Sequence, residues 1–183
     1  MAKRLIFFDT EFTELTQRAS LLSLGIIADS GEKFYAEFTD FNIDDINDWV
    51  KQNVLTHFSL EKTDISKPGF IQIKDNTQNI TKSLKKWLSN FGSDKDLLQF
   101  WGDVPHWDWV LFCELFGGSL HLPQNIHYMC MDLATLFELK KNKSDYDRTQ
   151  FLRENNITMD GTLHNALYDT QICKTCYYQL IKM

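Results

Sequence analysis

The sequence predicts an α/β domain on a mixed β-sheet: an antiparallel three-strand meander joined by parallel strands and flanked by helices. Three observations lead there. Three runs of strand length lie within residues 4–38, with a turn signal between the second and third. From Thr77 the apolar spacing changes to that of a helix. Beyond it, strand-like and helix-like stretches alternate as far as Ile181. No repeat, low-complexity tract or Pro/Gly/Ser-rich linker marks a boundary, so residues 1–183 read as a single domain with room for a sizeable core. A chain that is 43% hydrophobic and 14% aromatic folds rather than staying disordered.

The elements follow in order. Strands are expected over Arg4–Phe8, Leu21–Ala28 and Lys33–Phe38, with Ser30-Gly31 as the hairpin turn between the second and third. Asp44 or Asp45 would cap a short helix running through Trp49 and Val54. Residues 59–75 are long, polar and without a clear period. Ile80, Leu84, Trp87, Leu88 and Phe91 recur at helical spacing and define one apolar face. "LLQFW" (97–101) reads as a buried strand, and Trp107–Phe116 as a helix ended by Gly117-Gly118. "IHYMCM" (126–131) would supply the next strand, with Asp132 capping a helix through Leu139. Asp147 would cap a short helix as far as Glu154, and a last helix would run from His164 to Ile181.

Charge and cysteine content narrow the function classes. A formal charge of −6 argues against a module that holds nucleic acid by charge alone. A polyphosphate ligand would need another neutraliser, and bound metal ions serve that purpose where carboxylates hold them. No apolar run is long enough to span a bilayer, and the N-terminus does not resemble a secretory signal. Four cysteines do not form a disulfide framework in a chain this long, which points to a reducing cytoplasm. Cys173 and Cys176 lack a second pair at zinc-ligand spacing and read as core.

The chemistry is concentrated in "FFDTEF" (7–12). On a strand, residues i and i+2 share a face about 6.6 Å apart, so Asp9 and Glu11 project together while Thr10 points the other way. Such a pair can touch two cations spaced about 3.5–4 Å apart. Asp94/Asp96 and Asp145/Asp147 repeat the spacing, but in polar, lysine-rich surroundings that explain them as solvated acids. Leu5, Ile6, Phe7, Phe8 and Phe12 surround the first pair, where unpaired charge would be costly. The residues alone leave a metal site and a salt-bridged structural pair both open.

Two later stretches carry further candidates. Asp108 falls in the first turn of the helix in "HWDWVLFCELFGG" (106–118), with Asp103 as a rival in the preceding loop. A helix dipole favours an acid there whatever the function. In "LHNALYDTQ" (163–171), His164 and Asp169 lie five residues apart, roughly 140° around an ideal helix. They converge on one site only if His164 stands at or before the first turn.

The order of these three stretches resembles the DEDDh family of 3′–5′ exonucleases, of the ribonuclease-H-like superfamily. "FDTEF", "WDWVLFCEL" and "HNALYDTQ" are similar to its three motifs, with Asp9 and Glu11, then Asp108, then His164 and Asp169 in the motif positions. Within the family the chain most resembles the ribonuclease AS group, through "DTEF", "WVKQNVL" (49–55) and "WDWVLFCELFG", and oligoribonuclease and ribonuclease T more distantly. The resemblance implies a ribonuclease-H-like sheet and two Mg²⁺ or Mn²⁺ ions held by Asp9, Glu11, Asp108 and Asp169, oxygen donors that suit hard cations. It further implies His164 as general base, release of nucleoside 5′-monophosphates from the 3′ end of single-stranded RNA, a leaning toward adenylate-containing RNA, and a homodimer. Phe12 and Thr13 would lie against the terminal nucleotide, and Trp49 and Asn53 in a substrate-contacting segment; Asn53 stands near a position where those relatives carry histidine. Lys82, Lys85 and Lys86 read as a solvated helix face. A single-stranded DNA exonuclease, or a catalytically silent nucleic-acid-binding module on the same fold, remains as the alternative.

Overall fold

The structure, a computed structural model, describes residues 3–16, 18–60, 67–91 and 97–183. Among these residues six strands form one sheet in the order β4-β3-β2-β1-β5-β6. They are β1 (Lys3–Phe12), β2 (Leu21–Ala28), β3 (Lys33–Phe38), β4 (Phe70–Asp75), β5 (Leu97–Gly102) and β6 (Met131–Asp132). β1, β2 and β3 pair antiparallel, whereas β4 runs parallel to β3, β5 to β1, and β6 to β5. The expected mixed sheet is therefore present. Gly31, at φ +106°, supplies the left-handed residue of the expected hairpin turn.

Among the described residues six α-helices flank the sheet: α1 (Asp48–Asn53), α2 (Thr77–Leu88), α3 (His106–Glu114), α4 (Leu133–Lys141), α5 (Arg148–Glu154) and α6 (Ala166–Leu180). Strand alternation sorts the core into two halves. Ile6 and Phe8 of β1 join Leu24, Phe34, Phe100 and Phe112 under α2 and α3. Phe7 points the other way, into Phe137, Phe151, Ile172, Cys176 and Leu180 under α4, α5 and α6. Asp9 and Glu11 continue the Phe7 face and so project toward α6. The face expected of α2 is buried at Ile80, Leu84, Trp87, Leu88 and Phe91, while Lys82, Lys85 and Lys86 are exposed. Cys173 and Cys176 are core, and among the described residues no helix is long and apolar enough to cross a membrane.

Several elements differ from the sequence expectation. β1 runs four residues further, so both acids lie within the strand. Asn47, rather than Asp44 or Asp45, caps α1 by accepting from the Val50 amide; Asn42 caps a separate 3₁₀ turn at Ile43–Asp45. The polar stretch after residue 59 contains β4, whose parallel pairing with β3 leaves no hairpin signal. "IHYMCM" contributes only its last residue to a strand, apart from a single bridge at Ile126. The Asp132 and Asp147 caps form as expected. So does the α3 stop, where the Gly118 amide reaches the Cys113 carbonyl and the Gly117 amide that of Glu114. The last helix starts at Ala166, which leaves His164 outside it. The Asp94/Asp96 pair lies outside the described residues.

The helix that closes over the acidic strand rests directly on backbone. A Cβ on Gly25 would collide with the carbonyl group of Ala166 and stand 2.6 Å from Leu167 Cα. The buried Thr170 hydroxyl bridges the two elements, lying 3.0 Å from the Gly25 carbonyl oxygen and 2.7 Å from that of Ala166. Gly25 is also the register partner of Asp9. Gly25→Ala should therefore lower the unfolding free energy by about 1–3 kcal/mol, the usual range for overpacking. Urea melts would show it, and a variant as stable as the parent would mean that α6 does not sit on β2 in this way.

Candidate active site

Each acid reaches the site for a local reason. β5 pairs with β1 only as far as Phe7, so the far end of β1 lacks a neighbour on that edge. Asp108, in the first turn of α3, fills the gap: its Oδ1 accepts from the Thr10 amide (3.0 Å) and the Thr10 hydroxyl (2.7 Å). Thr10 thus points away from Asp9 and Glu11, as strand alternation requires, and tethers the third acid. The rival Asp103 is already paired. Its carboxylate takes Arg148 Nε at 2.7 Å and Nη2 at 2.6 Å in a fork-to-fork bridge.

His164 stands two residues before α6 in the left-handed conformation, φ +64°. That backbone costs roughly 1–2 kcal/mol for a residue with a Cβ. Its compensation is a 2.7 Å hydrogen bond from the His164 amide to Asp169 Oδ2. The reversal overcomes the five-residue offset that an uninterrupted helix would impose. Gly161 completes the approach, because a Cβ there would strike the Tyr168 ring on which the loop lies. On the open side, Trp49 meets the His164 ring edge to face, centroids 4.9 Å apart.

Glu11, His164 and Asp169 each offer a ligand atom within 4.8 Å of the others. With Asp9 and Asp108 they line one cavity of about 440 Å³, which Phe12 also borders. The electrostatics are unfavourable without a cation. Burial, then the charges of Asp108, Asp169 and Glu11, push Asp9 well above the usual carboxylate range. Burial, then Asp169 and Asp108, raise Glu11 to about 8. Burial raises Asp169 to about 7 against the opposing His164 amide, and raises Asp108 as well. Burial, and secondarily His57, lower His164 and favour its neutral ring. Oxygen donors from three elements around one cavity, in a field that resists their ionisation, fit a hard divalent cation.

Of the other expected contacts, Phe12 borders the cavity and the remaining ones do not. Thr13 is buried beside it, its hydroxyl accepting from the Ser20 amide. Asn53 donates to the Trp49 carbonyl within α1. Sequence reasoning missed Gly25, Gly161, Thr10 as a tether and the Asp103–Arg148 bridge. A glycine in the middle of "LLSLGIIA" was the available signal, since a strand glycine marks a close backbone approach.

The mixed six-stranded sheet flanked by helices is the fold of the DEDDh 3′-exonucleases. It superposes on the nuclease domain of 3′hExo, a DEDDh family member bound to rAMP, with a TM-score of 0.64 at 12% identity, over 98% of this chain and 92% of that one. The Mg²⁺- and Mn²⁺-bound form of Pop2p from S. pombe gives 0.65 at 13% identity, over 96% and 82%. The chain belongs to the Rv2179c-like 3′–5′ exoribonuclease domain family, whose model matches residues 4–181. Over 132 residues, 72% of this chain and 73% of the relative, it is 30% identical to the 3′–5′ exoribonuclease Rv2179c of Mycobacterium tuberculosis (strain ATCC 25618 / H37Rv). It is an enzyme of that class, and the silent-module alternative falls away.

The acid cluster makes stability depend on pH in a defined direction. Unfolded, Glu11 and Asp169 lose their protons near their ordinary values of 4.5 and 3.8; folded and without metal they keep them to about 8 and about 7. Between those limits the native state binds more protons than the unfolded one, so stability falls as pH rises through the window. Melting temperature in EDTA should drop between about pH 4 and pH 8, and added Mg²⁺ or Mn²⁺ should recover it increasingly toward pH 8. A cation effect independent of pH would separate the acids from the metal.

Proposed function

We propose that residues 1–183 act as a single divalent-metal-dependent exonuclease domain that shortens single-stranded RNA from its 3′ end and releases nucleoside 5′-monophosphates. One observation carries the reading: four carboxylates face a single cavity, where the guanidinium of Arg148 is engaged by Asp103. Asp9, Glu11, Asp108 and Asp169 would hold two Mg²⁺ or Mn²⁺ ions, supplying positive charge to the scissile phosphate and an acidified water.

The chain's own groups do the rest. His164, held neutral by burial, accepts the proton of the attacking water at a ring nitrogen. Asp169 fixes the His164 backbone, and Trp49 restricts the ring from the open side. Phe12 offers a face on which the terminal base stacks, a grip indifferent to base identity. Thr13, buried next to Phe12 in the chain, ties the end of β1 to the Ser20 amide, and Asn53 braces Trp49 from within α1. The resemblance to the ribonuclease AS group supports the finer reading of adenylate-containing RNA and a homodimer, and the free cysteines support a reducing, cytoplasmic address.

The test uses 5′-labelled RNA and matching DNA with Mg²⁺, Mn²⁺ or EDTA, resolved on a denaturing gel. A metal-dependent ladder shortening from the 3′ end on RNA is expected. Equal shortening of DNA would broaden the substrate to both nucleic acids, and no shortening of RNA would sink the proposal. Asp108→Ala should abolish turnover. His164→Ala should lower kcat by about 10²–10⁴ with metal binding retained; loss of metal binding instead would refute the general-base assignment.

A further inference from the structure

A second cavity, of about 410 Å³, adjoins the acidic one. Consecutive residues form the divide: His164 lines the first cavity and Asn165 the second. The linings are chemically opposite. Where the first is built from carboxylates, the second is bordered by Lys33, His57, Ser59, Thr162, Asn165 and Gln171, all bearing polar hydrogens. One exposed acid, Asp160, also borders it. Among the described residues, the Lys33 ammonium has no carboxylate within 4.0 Å, whereas Arg4, Lys51, Lys74 and Arg148 each have one.

The cavity has built walls. The carboxylate of Glu37, fully buried on β3, accepts from the Ser59 amide (2.7 Å), the Leu60 amide (3.2 Å) and the Tyr35 hydroxyl (3.2 Å). Lys74 Nζ lies 3.3 Å from the other oxygen of Glu37 and donates to the Leu60 carbonyl at 2.8 Å. A buried carboxylate, paired with a half-buried lysine, thus anchors the backbone that carries His57 and Ser59. The opposite wall is the 160–162 loop, laid on the Tyr168 ring at Gly161.

We propose that this second cavity receives the RNA strand immediately 5′ of the scissile linkage, with Lys33 and His57 contacting the next phosphodiester upstream. The inference rests on the exoribonuclease reading and adds the path of the substrate. A 3′ end seated among the acids must lead its strand out past neighbouring residues, and its next phosphate, beyond the cations those acids would hold, needs a positive partner of its own. The adjoining cavity presents a free ammonium and an imidazole at the divide.

Substrate length tests it. A dinucleotide without a 5′-phosphate carries only the scissile phosphate, whereas a trinucleotide adds the next one. Wild-type kcat/KM should rise from dinucleotide to trinucleotide and hexanucleotide. In Lys33→Ala combined with His57→Gln that rise should shrink about tenfold, chiefly through KM, the scale of one charge-assisted contact. The dependence of hexamer KM on salt should also flatten by about one counterion. Lys33→Arg should restore both, and Lys82→Ala, on the solvated face of α2, serves as the control. Melting curves would confirm that each variant is folded. A loss equal at every length, or none, in an enzyme that still degrades RNA would overturn the strand path and leave the exoribonuclease standing. Failure of the wild type to shorten RNA would instead bring down the reading on which this one rests.

Discussion

The site depends on a contact that involves none of its catalytic candidates: the first turn of α6 lying on the backbone of β2 at Gly25. Asp9 stands beside Gly25 in the sheet, and Ala166 sits on Gly25. The distance from the acidic strand to residues 164–169 is therefore set by two backbones in direct contact, with no side chain between them to flex. Thr170 fixes the register by hydrogen bonding across the join. An intervening methyl group would move α6 outward, and His164 and Asp169 with it. Displacements of about 1 Å are enough to cost on the order of 10²-fold in rate when reacting groups must meet. The scaffold thus buries a glycine where a larger side chain would have added apolar contact.

The electrostatics of the cluster are the other constraint. Asp9, Glu11, Asp108 and Asp169 are pushed toward their neutral forms mainly by burial, with mutual repulsion added for Asp9 and Glu11. Local hydrogen bonds oppose this only in part, from the Thr10 amide and hydroxyl on Asp108 and the His164 amide on Asp169. Asp103 shows the contrast. It borders the same cavity, yet a forked guanidinium occupies both of its oxygens. Of the other acids bordering this cavity, Asp103 is neutralised by Arg148 and Asp147 is engaged by the Gln150 amide and the Thr149 hydroxyl, which leaves Asp9, Glu11, Asp108 and Asp169 available to a cation.

What the sequence made legible divides along physical lines. The five motif residues stood out because charge inside an apolar strand is improbable without a partner, and because three weak motifs in a fixed order are jointly specific. Helices α2 and α3 were legible from their apolar spacing and from the Gly117-Gly118 stop. β4 was not: it is a half-buried edge strand of mixed polarity, formed by a parallel crossover, and neither alternation nor a turn announces it. The α1 cap was misplaced because asparagine and aspartate compete for that position on nearly equal terms. The Asp103–Arg148 bridge, 45 residues long, and the Thr10–Asp108 tether, 98 residues long, have no local signature. His164 was found by its motif, but its left-handed backbone was beyond any helical wheel, which assumes the regularity that this residue breaks.

The formal charge of −6 finally takes on a different meaning. Averaged over the surface it argues against nucleic acid, and as an average it describes neither cavity. One concentrates carboxylates where metal would reverse their sign; the other, across the His164–Asn165 divide, presents an ammonium and an imidazole directly. On the proposed reading, affinity for RNA is confined to the last few nucleotides of a strand and is absent along the remaining surface. An enzyme that acts at ends gains from that arrangement, since a broadly basic face would hold the interior of long strands as firmly as their termini. Acidity elsewhere then favours the end over the middle by leaving the middle unbound.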